Sequence, residues 1–260
     1  MTTSTKTNGQ TDEFTIVRTA GNKQNGIQLW HENGLPKLKA KYRNGKLEGL
    51  WEEWYDNGQM AARENYKDGE LDGLYEEWRT NGQPRYKKHF KDGKLHGLYE
   101  EWYPNGQLFT QIVYKEGKRD GRFYEWYDNG RLSERKTYKN GQIEDLWEIW
   151  YDNGQLLRRG VIWNNKRDGW YEEWYPNGQR HTKAYYINGE LDGLYESWYF
   201  NGQPMTRVTY NNGKPHGLRE VWSESGKQLE KTVFKNGKMI ADKLHPNVII
   251  LTEETRKRIK

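Results

Sequence analysis

The chain has 260 residues, of which 42 are Lys or Arg and 37 Asp or Glu, for a net charge of +5, and it contains no cysteine. A disulfide framework, thiolate metal sites and thiol chemistry are therefore excluded, and so modest a net charge gives no reason to expect a nucleic-acid partner. Counted with glycine and without tyrosine, apolar residues make up about 37% of the chain against about 45–50% in ordinary domains, yet 15% of it is aromatic, unlike disordered chains, so a thin sheet is expected rather than a thick core.

Residues 1–11 are rich in Thr, Lys and Asn with nothing to bury, and are expected to form a disordered tail. That segment holds no hydrophobic stretch suited to a signal peptide, and no apolar run along the chain is long enough to cross a bilayer. The expected location is the cytoplasm, neither secreted nor transmembrane.

From Phe14 a pattern begins. Gly34, Gly58, Gly82, Gly106, Gly130, Gly154, Gly178, Gly202 and Gly226 recur every 24 residues without an insertion, and a second column from Gly45 to Gly237 keeps the same period, with Asn165 as its one replacement. Two turn signals per repeat imply two strands per repeat. The first turn carries Asn-Gly, as in Asn57-Gly58, the signal for a two-residue type I′ hairpin. It separates aromatic-rich runs of strand length, Leu50 to Tyr55 and Met60 to Tyr66. No helical period is sustained before the C-terminus. The expected fold is all-β: an elongated single-layer open antiparallel sheet, a meander of nine 24-residue β-hairpin repeats over residues 12–240.

The Asn57-Gly58 turn sets Glu52 opposite Arg63. For the second turn two options exist, type I′ on Asp68-Gly69 or type II′ on Gly69-Glu70. The second is preferred because it places Arg63 opposite Glu76 and Tyr66 opposite Gly73. Glu52, Glu76, Glu100, Glu148, Glu172, Glu196 and Glu220 then alternate across the sheet with Lys39, Arg63, Lys87, Arg135, Arg159, Lys183, Arg207 and Lys231 as a ladder of opposite charges. Gln111 and Tyr124 interrupt it side by side. One face carries Leu50, Glu52 and Trp54, the other Trp51, Glu53 and Tyr55, and neither reads as a core. After Phe234 the pattern decays. Residues 241–260 are read as a capping segment, with a short strand at Val248 to Leu251 and a short basic helix beginning near Thr252.

The run Gly-Leu-Tyr-Glu-Glu-Trp-Tyr-Pro-Asn-Gly-Gln ending at Gln107, together with Lys-Asp-Gly-Lys-Leu-His-Gly at Lys91 to Gly97, resembles the MORN-repeat variant family. The resemblance covers about Phe14 to Ile240. It implies elongated antiparallel sheets, the antitoxin-component-like and giant-virus proteins that carry such repeats, and an association with scaffolding and acidic lipids. Asp145 in a glycine position, Trp163 shifted by one from the aromatic column and the degenerate last repeat depart from it.

No residues carry a catalytic pattern. Neighbouring glutamates such as Glu100 and Glu101 point to opposite faces, the histidines fall in no metal-ligand spacing, and no glycine-rich loop opens a helix. No enzyme activity, cofactor or metal is expected. Trp54, Trp78, Trp102, Trp126, Trp150, Trp174, Trp198 and Trp222 form a row on the face of the ladder, a candidate partner surface or a stack of rings on each other. Lys67, Lys91, Lys94, Lys115, Lys118, Lys139, Lys166, Lys235 and Lys238 gather at the Asp-Gly rim, a candidate anion-binding edge. The expected function is a non-enzymatic scaffold that binds a partner protein through its sheet. The alternatives are binding to an acidic membrane surface through the basic rim and glycan or choline binding through the aromatic row. Self-association through sheet edges is a further option.

Overall fold

The structure, a computed structural model, describes residues 2–7, 13–18 and 24–244, with side-chain packing from residue 26. Every regular element among the described residues is a β-strand. The chain divides into two compact units, residues 1–130 with 138–141, and residues 131–137 with 142–260. Within each unit strands pair antiparallel with their sequence neighbours in an open sheet. Lys46–Trp54, Met60–Lys67, Gly73–Trp78 and Pro84–Lys91 show the pattern in the first, and Leu156–Trp163, Lys166–Trp174 and Arg180–Ile187 in the second. Thr2–Thr7, within the segment expected to be a disordered tail, pairs with Glu13–Arg18. The expected strand at Val248 and helix near Thr252 lie outside the described residues.

The Asn-Gly turn differs from expectation. Gly58 donates its N–H to the Tyr55 carbonyl at 2.9 Å, Tyr55 N–H reaches Gln59 O at 2.9 Å, and glycine alone is left-handed, with φ 82°. This is a three-residue loop, and the one-residue offset it creates, Trp54 opposite Met60, is absorbed by a bulge before Glu53 meets Ala62. Asn57 stays out of the left-handed region because its side chain is used elsewhere. Its Oδ1 accepts from Gln59 N–H at 3.0 Å and its Nδ2 donates to Thr80 O, one repeat on, at 2.8 Å.

The second turn combines the two options. Asp68 and Gly69 both have positive φ, 51° and 92°, which makes it type I′ and not the preferred type II′. Lys67 faces Glu70 and Tyr66 faces Leu71, yet Arg63 still lies opposite Glu76. The two extra residues are taken up at Asp72 and Gly73, where Asp72 N–H bonds to Asn65 O and Gly73 takes φ 115°. Tyr66 is not across from Gly73. It lies opposite Gly49, and Gly73 lies opposite Phe90, so the aromatic still covers a glycine, but the glycine on its other side.

The charge ladder holds through this bulged register, with Lys39, Glu52, Arg63, Glu76, Lys87 and Glu100 opposite one another in turn. At the interruption Gln111 donates to Glu100 Oε1 at 2.8 Å and pairs with Tyr124. The two faces are unequal. On the face away from the ladder, small or aliphatic residues lie beside rings: Ala40 beside Trp51, Ile112 between Tyr99 and Phe123, Val208 beside Tyr195. Ala40, Ile112, Ala184 and Val208 are buried. Diagonal ring pairs, Tyr75–Phe90, Tyr99–Tyr114, Phe123–Tyr138, Tyr171–Tyr186 and Tyr195–Tyr210, close this layer with centroids between 5.9 and 6.2 Å apart. This is the core face, where the sequence reading found none.

Asp145 occupies a glycine position with φ 73°, and across from it stands Ile162 in place of an aromatic. Replacing Asp145 by glycine is expected to raise stability by roughly 1 kcal/mol, the cost of a left-handed L-residue. Asn57→Ala, which removes one hydrogen bond that closes its own loop and one that ties it to the next repeat, is expected to lower it by about 1–2 kcal/mol. Urea unfolding of both variants checks the opposite signs.

Candidate functional surfaces

The tryptophan row is half-buried in both units, and its backbone holds adjacent repeats together. The Tyr55 hydroxyl donates to Trp78 O and Tyr103 to Trp126 O in the first unit, while Tyr151, Tyr175 and Tyr199 do the same to Trp174, Trp198 and Trp222 in the second, at 2.8–3.0 Å. The indoles themselves are met by guanidinium groups of the ladder face. Arg135 lies 5.8 Å from the Trp150 ring centroid, Arg159 5.4 Å from Trp174 and Arg180 5.6 Å from Trp198. Stacking of one indole on the next does not fill the interval between Trp198 and Trp222. A depression lies there, lined also by Glu196, Pro204, Thr206 and Arg207.

Across the ladder from the tryptophans the same face of the second unit exposes Trp170, Tyr185, Leu194 and Leu218; Trp170 and Tyr185 lie opposite one another. The sequence reading placed the Leu50-type position on this face but did not single it out, because an exposed leucine column and a buried one look alike without knowing which face is the core. Ladder arginines stand outward while their carboxylates lie against the sheet: the Arg207 side chain is 57% exposed and its partner Glu196 13%, at 2.7 Å. Arg159 and Glu172 repeat this at 2.9 Å. Solvent screens such pairs, so they orient the side chains more than they stabilise the sheet.

All nine rim lysines are exposed. Several face like charges directly: Lys91 lies opposite Lys94, Lys115 opposite Lys118 and Lys235 opposite Lys238, an arrangement that is unfavourable for the hairpin itself. The acids among them have a structural use. Asp72 Oδ2 accepts from Asp92 N–H at 3.2 Å, Asp120 from Asn140 at 3.1 Å and Asp192 from Asn212 at 3.0 Å. His216 Nδ1 accepts from the Asn236 N–H of the next turn at 3.4 Å.

On the core face of the first unit the row departs from its aliphatic pattern at Glu64 and Lys88, which the sequence reading missed. Lys88 Nζ lies 4.9, 4.1 and 5.6 Å from the rings of Tyr75, Tyr86 and Tyr99, and Tyr66 donates to Glu64. Burial pushes the Glu64 carboxyl above the usual carboxylate range, partly offset by the Tyr66 hydrogen bond. It pushes the Lys88 ammonium below the usual lysine range, opposed by Glu77 and Glu101.

Among the described residues no group of three or more His, Asp or Glu side chains is placed to hold a metal ion, and no helix is long and apolar enough to cross a membrane.

The model of the MORN repeat variant matches residues 47–68, 71–92, 95–116, 119–140, 167–188 and 191–212, just over half of the chain. The chain belongs to the MORN repeat variant family. The stretch left unmatched between residues 140 and 167 is the repeat with Asp145, Ile162 and Trp163, the same departures that alter its backbone and its aromatic layer. No curated protein matches the chain. MORN repeats are generally non-catalytic and are often modules for interaction with proteins or membranes.

A raised folded-state pKa means that Glu64 favours folding only while protonated, so that contribution is lost as pH rises through the folded value. Glu64→Gln is therefore expected to raise the melting temperature at neutral pH, with the gain shrinking as pH falls and the native carboxyl takes up its proton. Thermal melting across that range, read by near-ultraviolet circular dichroism, checks the trend.

Proposed function

We propose that this MORN repeat variant protein is a non-catalytic scaffold that binds a partner protein on the ladder face of its second unit. The observation that carries this reading is the coincidence on one face of the tryptophan row, outward arginines and the exposed apolar side chains of Trp170, Leu194 and Leu218. Apolar side chains gathered on one exposed face mark interaction sites, and Trp and Arg are the residues in which binding energy concentrates. The core face serves folding, since its rings close over one another.

A second reading, docking of the basic rim on an acidic membrane surface, is favoured by the like-charged pairs at Lys91 with Lys94 and Lys115 with Lys118. Their mutual repulsion is relieved by an anionic layer, and each lysine near such a surface contributes about 1 kcal/mol.

Two variants separate the readings. Trp174→Ala with Trp198→Ala is expected to lose the partner in affinity capture from the native cell while leaving sedimentation with acidic vesicles unchanged. Reversal of Lys91, Lys94, Lys115 and Lys118 to Glu is expected to leave capture intact and to abolish whatever vesicle sedimentation the native chain shows. Capture that survives loss of both tryptophans overturns the main reading.

A further inference from the structure

We propose that the occupant of this ladder face is an acidic, proline-rich segment in the polyproline II conformation, laid across the strands of the second unit. The inference rests on the scaffold reading above and names the chemistry of its partner.

Spacing is the first argument. Trp150, Trp174, Trp198 and Trp222 occupy the same place in successive repeats, each two strands from the next, and two inter-strand steps amount to about 9.4–9.8 Å. A polyproline II helix has three residues per turn and a rise of about 3.1 Å, so its every third side chain returns after about 9.3 Å. Over the three intervals from Trp150 to Trp222 the mismatch accumulates to only about 1 Å. A bound β-strand repeats its side chains on one face after about 6.6–6.8 Å, and an α-helix completes a turn in about 5.4 Å. Neither keeps step with the tryptophans.

Shape is the second. Arg180, which lies opposite Trp174, reaches toward Trp198 and occupies one interval, but the interval between Trp198 and Trp222 is open. Indole rings wall it, and the Pro204 ring and Thr206 line it. Aromatic-lined grooves of this kind accept prolyl rings, which enter already ordered and lose little entropy.

Charge is the third. Arg135, Arg159 and Arg207 stand outward over carboxylates that are largely covered, Glu148, Glu172 and Glu196, so an incoming ligand meets guanidinium groups first. A guanidinium has five donors in a fork and can hold a second carboxylate beside the first. The matching ligand carries Asp or Glu once per turn and proline at the other positions, with a prolyl ring in the open interval between Trp198 and Trp222.

The test is calorimetric titration of the full chain with a synthetic peptide of repeated Pro-Pro-Glu, long enough to reach from Trp150 to Trp222. The expected result is saturable binding that weakens as salt rises. A peptide of the same length with glutamate at every fourth position, and a Pro-Pro-Lys peptide, are each expected to bind at least about tenfold more weakly, a difference of about 1.4 kcal/mol. Trp198→Ala should lose about tenfold and Trp198→Phe less. Trp163→Ala, at an exposed strand end outside the row, should change nothing, and thermal melting of each variant separates lost contacts from lost folding. Equal binding of the three-residue and four-residue peptides, no binding of Pro-Pro-Glu, or displacement of it by a sulfated oligosaccharide at equal charge overturns the proposal. If the peptide fails while Trp174→Ala with Trp198→Ala still loses the captured partner, the scaffold reading stands and only the polyproline assignment falls.

Discussion

The rest of the structure depends on how the turn amides are satisfied. In a single-layer sheet the backbone of each turn has no second layer to bond to, and here it bonds to the equivalent turn of the neighbouring repeat. Gly69 N–H reaches Leu47 O, Gly93 N–H reaches Leu71 O and Gly117 N–H reaches Leu95 O, at 2.8–2.9 Å, and in the second unit Gly213 N–H reaches Leu191 O at 2.8 Å. On the opposite rim Asn57, Asn105 and Asn201 bridge to the loop one repeat on. Repeats bridged in this way are tied at both ends to the next, and an added residue in either turn displaces donors from acceptors on both sides of it. That accounts for a period held at 24 residues without a slip, and it explains why Asn-Gly was selected without the type I′ geometry it usually signals. Glycine supplies the left-handed residue and asparagine the bridge.

The period, the strands and the charge ladder were legible because each leaves a mark at fixed spacing. Turn chemistry was not. A type II′ turn and a type I′ turn followed by two extra residues give the same pairing of Arg63 with Glu76, and they are told apart by the φ of Asp68 and Gly73 and by the pairing of Tyr66 with Leu71. The core face was hidden for a different reason. Its signal is the alternation of Ala40, Ile112, Ala184 and Val208 with aromatics, but the column they define also holds Glu64, Lys88 and Lys136. Three charged side chains in one column read as solvent exposure. In the structure Lys136 reaches Glu134 at 2.7 Å with both largely covered, and Lys88 lies among tyrosines, so these charges are met within the layer.

The repeat between residues 140 and 167 shows how changes in one strand select changes in the next. Gly49, Gly97 and Gly169 each lie opposite an aromatic, whereas Asp145 lies opposite Ile162. Ile162 takes the column and the indole moves one residue along to Trp163, 53% exposed on the rim. Gly160 then stands in the aliphatic row, where an added Cβ would lie 3.1 Å from the Tyr171 ring and 3.2 Å from the Trp170 carbonyl. Asp145, Ile162 and Trp163 thus fall in one hairpin, with Asp145 and Ile162 directly paired.

Capacity for binding remains where the architecture does not use its side chains on itself. The core face closes ring over ring, and the turn backbones bond to one another. On the ladder face formal charge cancels pair by pair, but position does not. Glutamate is the shorter side chain and lies against the sheet; arginine sets its guanidinium beside the neighbouring indole and keeps close to half of its side chain exposed. A ladder neutral in sequence thereby presents a cationic outer layer on an aromatic bed. Lysine in place of these arginines would keep the net charge but lose the planar group that stacks on indole and accepts a carboxylate from the side, so the binding character of this face resides in arginine and tryptophan together.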